Sequence, residues 1–142
     1  MTASPPLILA SASPRRLDLL AQCGITPAKI IPADIDESVL PREKPLAYVA
    51  RIAAGKADKV ARENPKAFVL AADTTVTCGQ RILGKAESET EARAFLELLS
   101  GRRHRVITAV SLRLPDGKPR DFTVTSTVKF QRLSKADIDA YI

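Results

Sequence analysis

An α/β fold, a mixed twisted sheet flanked by helices, is predicted by three features of the chain. Short uninterrupted apolar runs read as buried strands, amphipathic helical stretches alternate with them, and one long stretch of period-two alternation carries a turn at its middle. The 142 residues suffice for one domain, since a chain of that length buries about two thirds of its surface. Hydrophobic residues at 45% and charged residues at 27% lie near the globular average, which argues against both disorder and a coiled coil. No internal repeat interrupts the order of elements.

Leu7 to Ala10 is the first strand, followed at once by Ser13 as N-cap and Pro14 at the first helical position. Leu17, Leu20 and Ala21 recur at helical spacing until Gly24 supplies the stop. Ile30 and Ile31 suggest a second short strand. An acidic loop follows, Asp34 to Ser38, and then a proline-containing connection from Pro41 to Pro45. From Leu46 the positions Val49, Ala50, Ala53, Ala57 and Val60 mark the apolar face of a long helix that ends before Pro65 and is weakened by Gly55, a residue that costs about 1 kcal/mol against Ala. Phe68 to Ala72 reads as a buried strand with Asp73 at its end. Thr74 to Thr77 and Arg81 to Leu83 look like a hairpin. Ser88 and Glu91 have capping-box spacing ahead of Ala92, Phe95, Leu96 and Leu99, with Gly101 closing that helix. His104 to Leu114 and Phe122 to Phe130 form a long antiparallel hairpin around Pro115-Asp116-Gly117, with Phe122, Val124, Val128 and Phe130 on one face. Ser134 opens a last helix with Ile138, Tyr141 and Ile142 as its apolar stripe.

A formal net charge of +6 points to an anionic partner: nucleic acid, an anionic membrane or a small phosphorylated ligand. Aromatic residues are 4% with no Trp, and Tyr48 and Tyr141 lie far apart, so no platform for stacked bases is visible and nucleic acid is disfavoured. The two cysteines, Cys23 and Cys78, share no metal-ligand spacing, which speaks against a zinc site or disulfide framework and for a reducing cytoplasm. The run Leu7 to Ala10 is far too short for a membrane span.

Several residues carry possible chemistry, each with a plain structural alternative. In Ser11-Ala12-Ser13-Pro14-Arg15-Arg16 a helix N-terminus, hydroxyls and two guanidinium groups converge, which suits an anion site and equally a well-capped helix with solvated arginines. Asp73 at a strand end is a candidate base or metal ligand, or an ordinary turn aspartate. Lys85 after the hairpin could reach a phosphate or be solvated, Lys56 could act in a site or snorkel at the edge of its helix stripe, and Asp36 and Glu37 could hold a hard cation or belong to a solvated loop. His104 has no catalytic companion and reads as structural.

Taken together and in order, Leu7 to Arg16, Ala72-Asp73-Thr74, Leu83-Gly84-Lys85 and Leu99-Ser100-Gly101-Arg102 closely resemble the motifs of the Maf nucleotide pyrophosphatases, over nearly the whole chain. The resemblance implies a two-lobed α/β architecture of the Maf/ITPase type with a substrate cleft, and hydrolysis of a nucleoside triphosphate between its α and β phosphates as house-cleaning of nucleotide pools. It implies Asp73 as proton acceptor, Ser11, Arg15, Arg16, Lys56, Thr74 and Lys85 as phosphate and substrate contacts, and Glu37 with Asp73 at a divalent cation, Mg2+ or Mn2+. Arg15 and Thr74 resemble the dTTP/UTP type. Expected partners are the nucleotide and, as an assembly, a second copy of the chain in a homodimer, with no membrane.

Two departures from the family pattern stand out: Ala86 occupies the position where a proline usually follows Gly-Lys, and residues 1–142 form a single Maf-like domain that looks C-terminally truncated, without the later glycine-flanked Gln of relatives. The rival reading is a nucleotide- or DNA-binding regulator of septum formation and cell division with little catalysis, against which the joint presence of Asp73, Lys56 and Lys85 argues.

Overall fold

The computed structural model describes residues 4–142. Its elements are β1 (Leu7–Leu9), α1 (Pro14–Gln22), β2 (Lys29–Ile30), α2 (Pro45–Glu63), β3 (Phe68–Cys78), β4 (Arg81–Leu83), α3 (Glu89–Leu99), β5 (Arg103–Arg113), β6 (Pro119–Lys129) and α4 (Lys135–Tyr141). All the strands join one mixed sheet in the order β2-β1-β3-β5-β6, with β4 added alongside β3. β1 is parallel to both β2 and β3, whereas β4 and β5 run antiparallel to β3, and β6 antiparallel to β5. The predicted α/β class is therefore the observed one.

Local chemistry accounts for the element ends. Ser13 caps α1 by accepting from the Arg16 amide, with Pro14 opening the helix; Ser88 does the same for α3 through the Glu91 amide. In α4 the capping box is complete, because Ser134 and Asp137 exchange side-chain-to-backbone bonds in both directions. Gly101 ends the α3 connection at φ +67°, with the Arg132 backbone only 3.8 Å from where a Cβ would stand, and donates its amide to the Gln131 carbonyl. The closing stripe of α4 is narrower than expected: Ile138 is buried, and Tyr141 and Ile142 are exposed.

One expectation needs correction. Asp73 does not end a strand; β3 continues through it to Cys78, because Thr74-Thr75-Val76-Thr77 is a run of β-branched residues that pairs residue for residue with β5 as far as Arg105. The hairpin thought to begin at Thr74 is the last part of β3 turning into β4.

α2 organises the core. Its buried stripe, Val49, Ile52, Ala53, Ala57 and Val60, lies over the sheet in two patches: Ala57 and Val60 with Ile8, Ala10, Val69 and Ala71, and Val49 and Ala53 with Ile107 and Ala109. Alanine on both helix and strands lets the backbones approach closely, as interior packing requires. At the far end of the long strands α3 and α4 meet, joined by an Arg93–Asp139 ion pair of 2.7 Å, and buried His104 packs edge-on against Phe130 at 4.8 Å between ring centroids. Phe122 and Val124 lie opposite Val110 and Thr108 on the sheet face away from α2, and both are exposed, so the expected four-residue apolar face of β6 divides at its middle.

Arg113 ties the layers together. Buried at the end of β5, it donates to Asp58 of α2 and to Asp121 of β6, each at 2.7 Å. Removing it leaves the half-exposed Asp58 and Asp121 carboxylates to water and frees the end of β6, a loss of about 1–3 kcal/mol on the scale of hydrogen bonds to charged groups. Arg113→Ala is expected to lower the urea midpoint by that free energy divided by the denaturant slope, the slope itself unchanged; an unaltered midpoint would show that the three-way tie carries no stability.

Candidate functional site

The site lies at a gap in the sheet. β1 pairs with β3 over Phe68 to Leu70, and the Ala10 amide adds a last bond to the Leu70 carbonyl. β4 takes up the same side of β3 only from Val76. Between them Ala71 to Thr75 have a strand neighbour on the β5 side alone. Alternation along β3 then places Asp73 on the face that α2 covers, in line with Val69 and Ala71, and Thr74 on the opposite face. A ligand entering the gap would meet both.

Lys56 reaches into this gap from α2. Its ammonium stands 3.4 Å from Asp73 Oδ1 and 3.1 Å from Glu37 Oε1, its side chain only 15% exposed. Asp73 is equally covered, whereas the Glu37 side chain remains 52% exposed and its share of the attraction is screened accordingly. Burial pushes the Asp73 carboxyl above the usual carboxylate range, helped by the Glu37 charge and opposed by Lys56 and Arg16. The result is a carboxylate more basic than one in water.

On the other side of the gap the turn after β1 contributes Ser11, and the first turn of α1 contributes Arg16. Buried Ser11 accepts from the Ser13 amide at 3.1 Å and from the Arg16 guanidinium at 3.3 Å. The same guanidinium donates to Thr74 Oγ1 at 3.4 Å, and Thr74 pairs with Thr108 Oγ1 across the strands at 3.0 Å. Six of the residues singled out from sequence thus form two contact groups that meet only at adjacent positions of β3: Ser11, Arg16 and Thr74 on one face, and Asp73, Lys56 and Glu37 on the other. Arg15 and Lys85 are exposed and form none of the ion pairs among the described residues. Asp36 turns inward on its own loop instead, accepting from the Ser38 amide and hydroxyl at 2.9 and 2.6 Å, which hold its carboxyl below the ordinary range. His104 lies in the far core with Phe130, in keeping with a structural role.

Sequence reasoning missed the residues that hold Glu37 in place. Tyr48 donates its hydroxyl to the Glu37 carbonyl at 2.6 Å, and Arg51 forms a two-pronged pair with Glu43, at 2.7 and 2.8 Å, while also donating to the Ser38 carbonyl at 2.8 Å. The signal that could have found them is a second helical stripe in α2, polar instead of apolar.

Fold comparison sets the class. The chain superimposes on the Ham1 protein of Staphylococcus aureus with a TM-score of 0.58 at 17% identity, covering 87% of this chain and 70% of that one. The nucleoside-triphosphatase / dITP/XTP pyrophosphatase of Mycobacterium abscessus gives 0.53 at 15% identity, over 87% and 71%. At such low identity these neighbours define the architecture alone. Sequence comparison defines the family: residues 6–142 match the family described as Maf-like protein, and the chain belongs to it. A dTTP/UTP pyrophosphatase of Paramagnetospirillum magneticum is 56% identical over 135 residues, 95% of this chain and 71% of that protein. Another of that name from Caulobacter vibrioides is 54% identical over 142 residues, all of this chain and 74% of that protein. A nucleoside triphosphate pyrophosphatase of Ehrlichia canis is 53% identical over 136 residues, 96% and 71%. No helix among the described residues is long and apolar enough to cross a membrane.

The Arg51 pair lowers the Glu43 carboxyl from 4.5 to about 2. A depressed carboxylate contributes stability that is complete above its unfolded value and fades as pH falls toward its folded one. The difference in melting temperature between the parent and Glu43→Gln is therefore expected to be largest above pH 4.5 and to close as pH approaches 2. A gap that stays constant through this window would show that the pair contributes nothing to folding.

Proposed function

We propose that the chain hydrolyses a nucleoside triphosphate, dTTP or UTP by preference, to the monophosphate and pyrophosphate. The observation that carries this reading is the Lys56 ammonium held between Asp73 and Glu37 in the sheet gap, with Ser11 of the turn after β1 and Arg16 of the first turn of α1 bordering the same gap at Thr74. The names of the relatives described above support the same reaction, and two of them carry the dTTP/UTP name. Arg16 and Lys56 supply the positive charge that a triphosphate needs; Arg15 and Lys85, both exposed, are proposed to close on it when it binds.

In this mechanism Asp73 accepts a proton from a water positioned in the gap. The water oxygen bonds to phosphorus at the α–β anhydride, the anhydride P–O bond breaks, and pyrophosphate leaves with the electron pair. Its raised affinity for protons suits Asp73 to the task, since a base works best when its pKa approaches the working pH. Lys56 and Arg16 hold charge that grows on the leaving oxygens, an electrostatic role typically worth several kcal/mol.

The two carboxylates also fit a hard divalent cation, Mg2+ or Mn2+. They converge on a single cationic atom, Lys56 Nζ, and no third His, Cys, Asp or Glu joins them in a cluster among the described residues. Water and phosphate oxygens would complete such a shell, the usual arrangement for Mg2+. When bound, the ion supplies charge neutralisation on the triphosphate. Residues 1–142 are proposed to work as one domain, and a homodimer as its assembly. A regulator that merely bound nucleotide would gain nothing from a desolvated carboxylate beside the phosphates.

The test is pyrophosphate release from a panel of nucleoside triphosphates, with Asp73→Asn beside the parent. The expected result is preference for dTTP and UTP, and a fall in kcat of at least about a hundredfold in Asp73→Asn with an unchanged melting temperature, the scale of general-base losses. Near-normal turnover by a folded Asp73→Asn would remove Asp73 from the mechanism, and preference for a purine nucleotide would overturn the substrate assignment.

A further inference from the structure

The acidic loop, residues 34–43, has no regular secondary structure of its own, yet it carries one of the two carboxylates that meet Lys56. What holds it is a single stripe of α2. Tyr48, Arg51, Gly55 and Lys59 recur at intervals of three, four and four, which places them in a row along the helix beside the buried stripe. Each meets a successive part of the loop. Lys59 donates to the Asp34 carbonyl, Gly55 lies against Ile35, Arg51 reaches the Ser38 carbonyl and Glu43, and Tyr48 reaches the Glu37 carbonyl. The order along the loop runs roughly opposite to the order along the helix, so the loop lies antiparallel on it.

The contacts are of a kind that fixes a backbone. Three of them are side-chain donors to main-chain carbonyls, which have no partner in a strand or helix. The Gly55 contact is steric: a Cβ there would stand 3.2 Å from Ile35 Cδ1, so a larger residue would press that methyl back by a few tenths of an ångström. Arg51 also stacks on the Tyr48 ring at 5.6 Å, which keeps the two donors in mutual register. Lys56 belongs to the same helix, one residue beyond Gly55. Helix geometry therefore sets where the Glu37 carboxylate and the Lys56 ammonium meet.

We propose that Tyr48 and Arg51 are positioning residues for the proposed hydrolysis, acting through Glu37: they clamp the 34–43 loop along α2 so that the Glu37 carboxylate is held at Lys56 and Asp73. This rests on the reading of the gap as the hydrolytic site. It makes the α2 stripe part of the working apparatus although neither residue need touch the nucleotide.

A double-mutant cycle tests it. Tyr48→Phe keeps the ring under Arg51 and deletes only the hydroxyl, so the fold should persist. One hydrogen bond of this kind corresponds to roughly a two- to tenfold effect. Tyr48→Phe is expected to lower kcat/KM for dTTP by about fivefold, and to add less than about twofold when Glu37 is already Gln, because residues acting through one another are non-additive. Amide exchange over residues 34–43 should quicken by about threefold or more in Tyr48→Phe while that of β3 and β5 stays as it was. Equal losses in the parent and the Glu37→Gln background would show a general structural role and overturn the proposal, as would unchanged exchange in the loop. If the parent chain turned over no nucleotide at all, the hydrolytic reading would fail by itself, and the clamp would be judged by exchange alone; Arg51→Ala, which removes two of its contacts, would then have to loosen the loop as well or the clamp fails too.

Discussion

A lysine ammonium with little access to water is a constraint that reaches well beyond its own contacts. Lys56 extends from a helix whose neighbouring stripe is fully buried, and an ion moved out of water costs several kcal/mol unless oppositely charged groups meet it. Asp73 and Glu37 meet it, one from the middle of a strand and one from a loop. Each carboxylate would repel the other without the cation between them. The charge balance is thus mutual, and it fixes α2, β3 and the 34–43 loop relative to each other at the one place where the sheet has lost a strand neighbour.

That loss of a neighbour is what makes the arrangement accessible. A strand paired on both sides offers only its faces, but β3 from Ala71 to Thr75 also offers an edge. Side chains that alternation sends to opposite faces, Asp73 and Thr74, both border the same opening. The turn after β1 brings Ser11 to it, α1 brings Arg16, and α2 brings Lys56. Helix-borne, strand-borne and loop-borne groups therefore border one opening, the kind of arrangement that electrostatic catalysis uses.

Much of this was legible in the residues because local chemistry announces itself locally. Ser13-Pro14 marks a helix start, Ser134 and Asp137 mark another, and the alternation through β5 and β6 marks a hairpin. The family resemblance then named Ser11, Arg16, Lys56, Asp73 and Glu37, which the fold gathers on either face of β3 at the gap. What local reading could not supply was partnership. Whether β3 stops at Asp73 depends on which neighbours it has, and its own sequence, Ala-Asp-Thr-Thr, is as compatible with a turn as with a strand; pairing with β5 decides it. The bond between Arg16 and Thr74 spans 58 positions and that between Lys56 and Asp73 spans 17. The polar stripe of Tyr48 and Arg51 was invisible for a related reason: a polar residue on a helix is read as facing water until the segment lying over it is known. Arg15 and Lys85 show the converse, being prominent in sequence and unengaged in the structure.

The central claim is that Lys56 is the common partner of two carboxylates in a catalytic gap, and the kinetics of Lys56→Met test it most directly. Methionine keeps the length and the apolar stem while deleting the charge. The account predicts a folded protein whose kcat for dTTP falls by at least about a hundredfold, the range seen when one preorganised electrostatic group is removed. Turnover within about twofold of the parent, in a protein that melts normally, would contradict it.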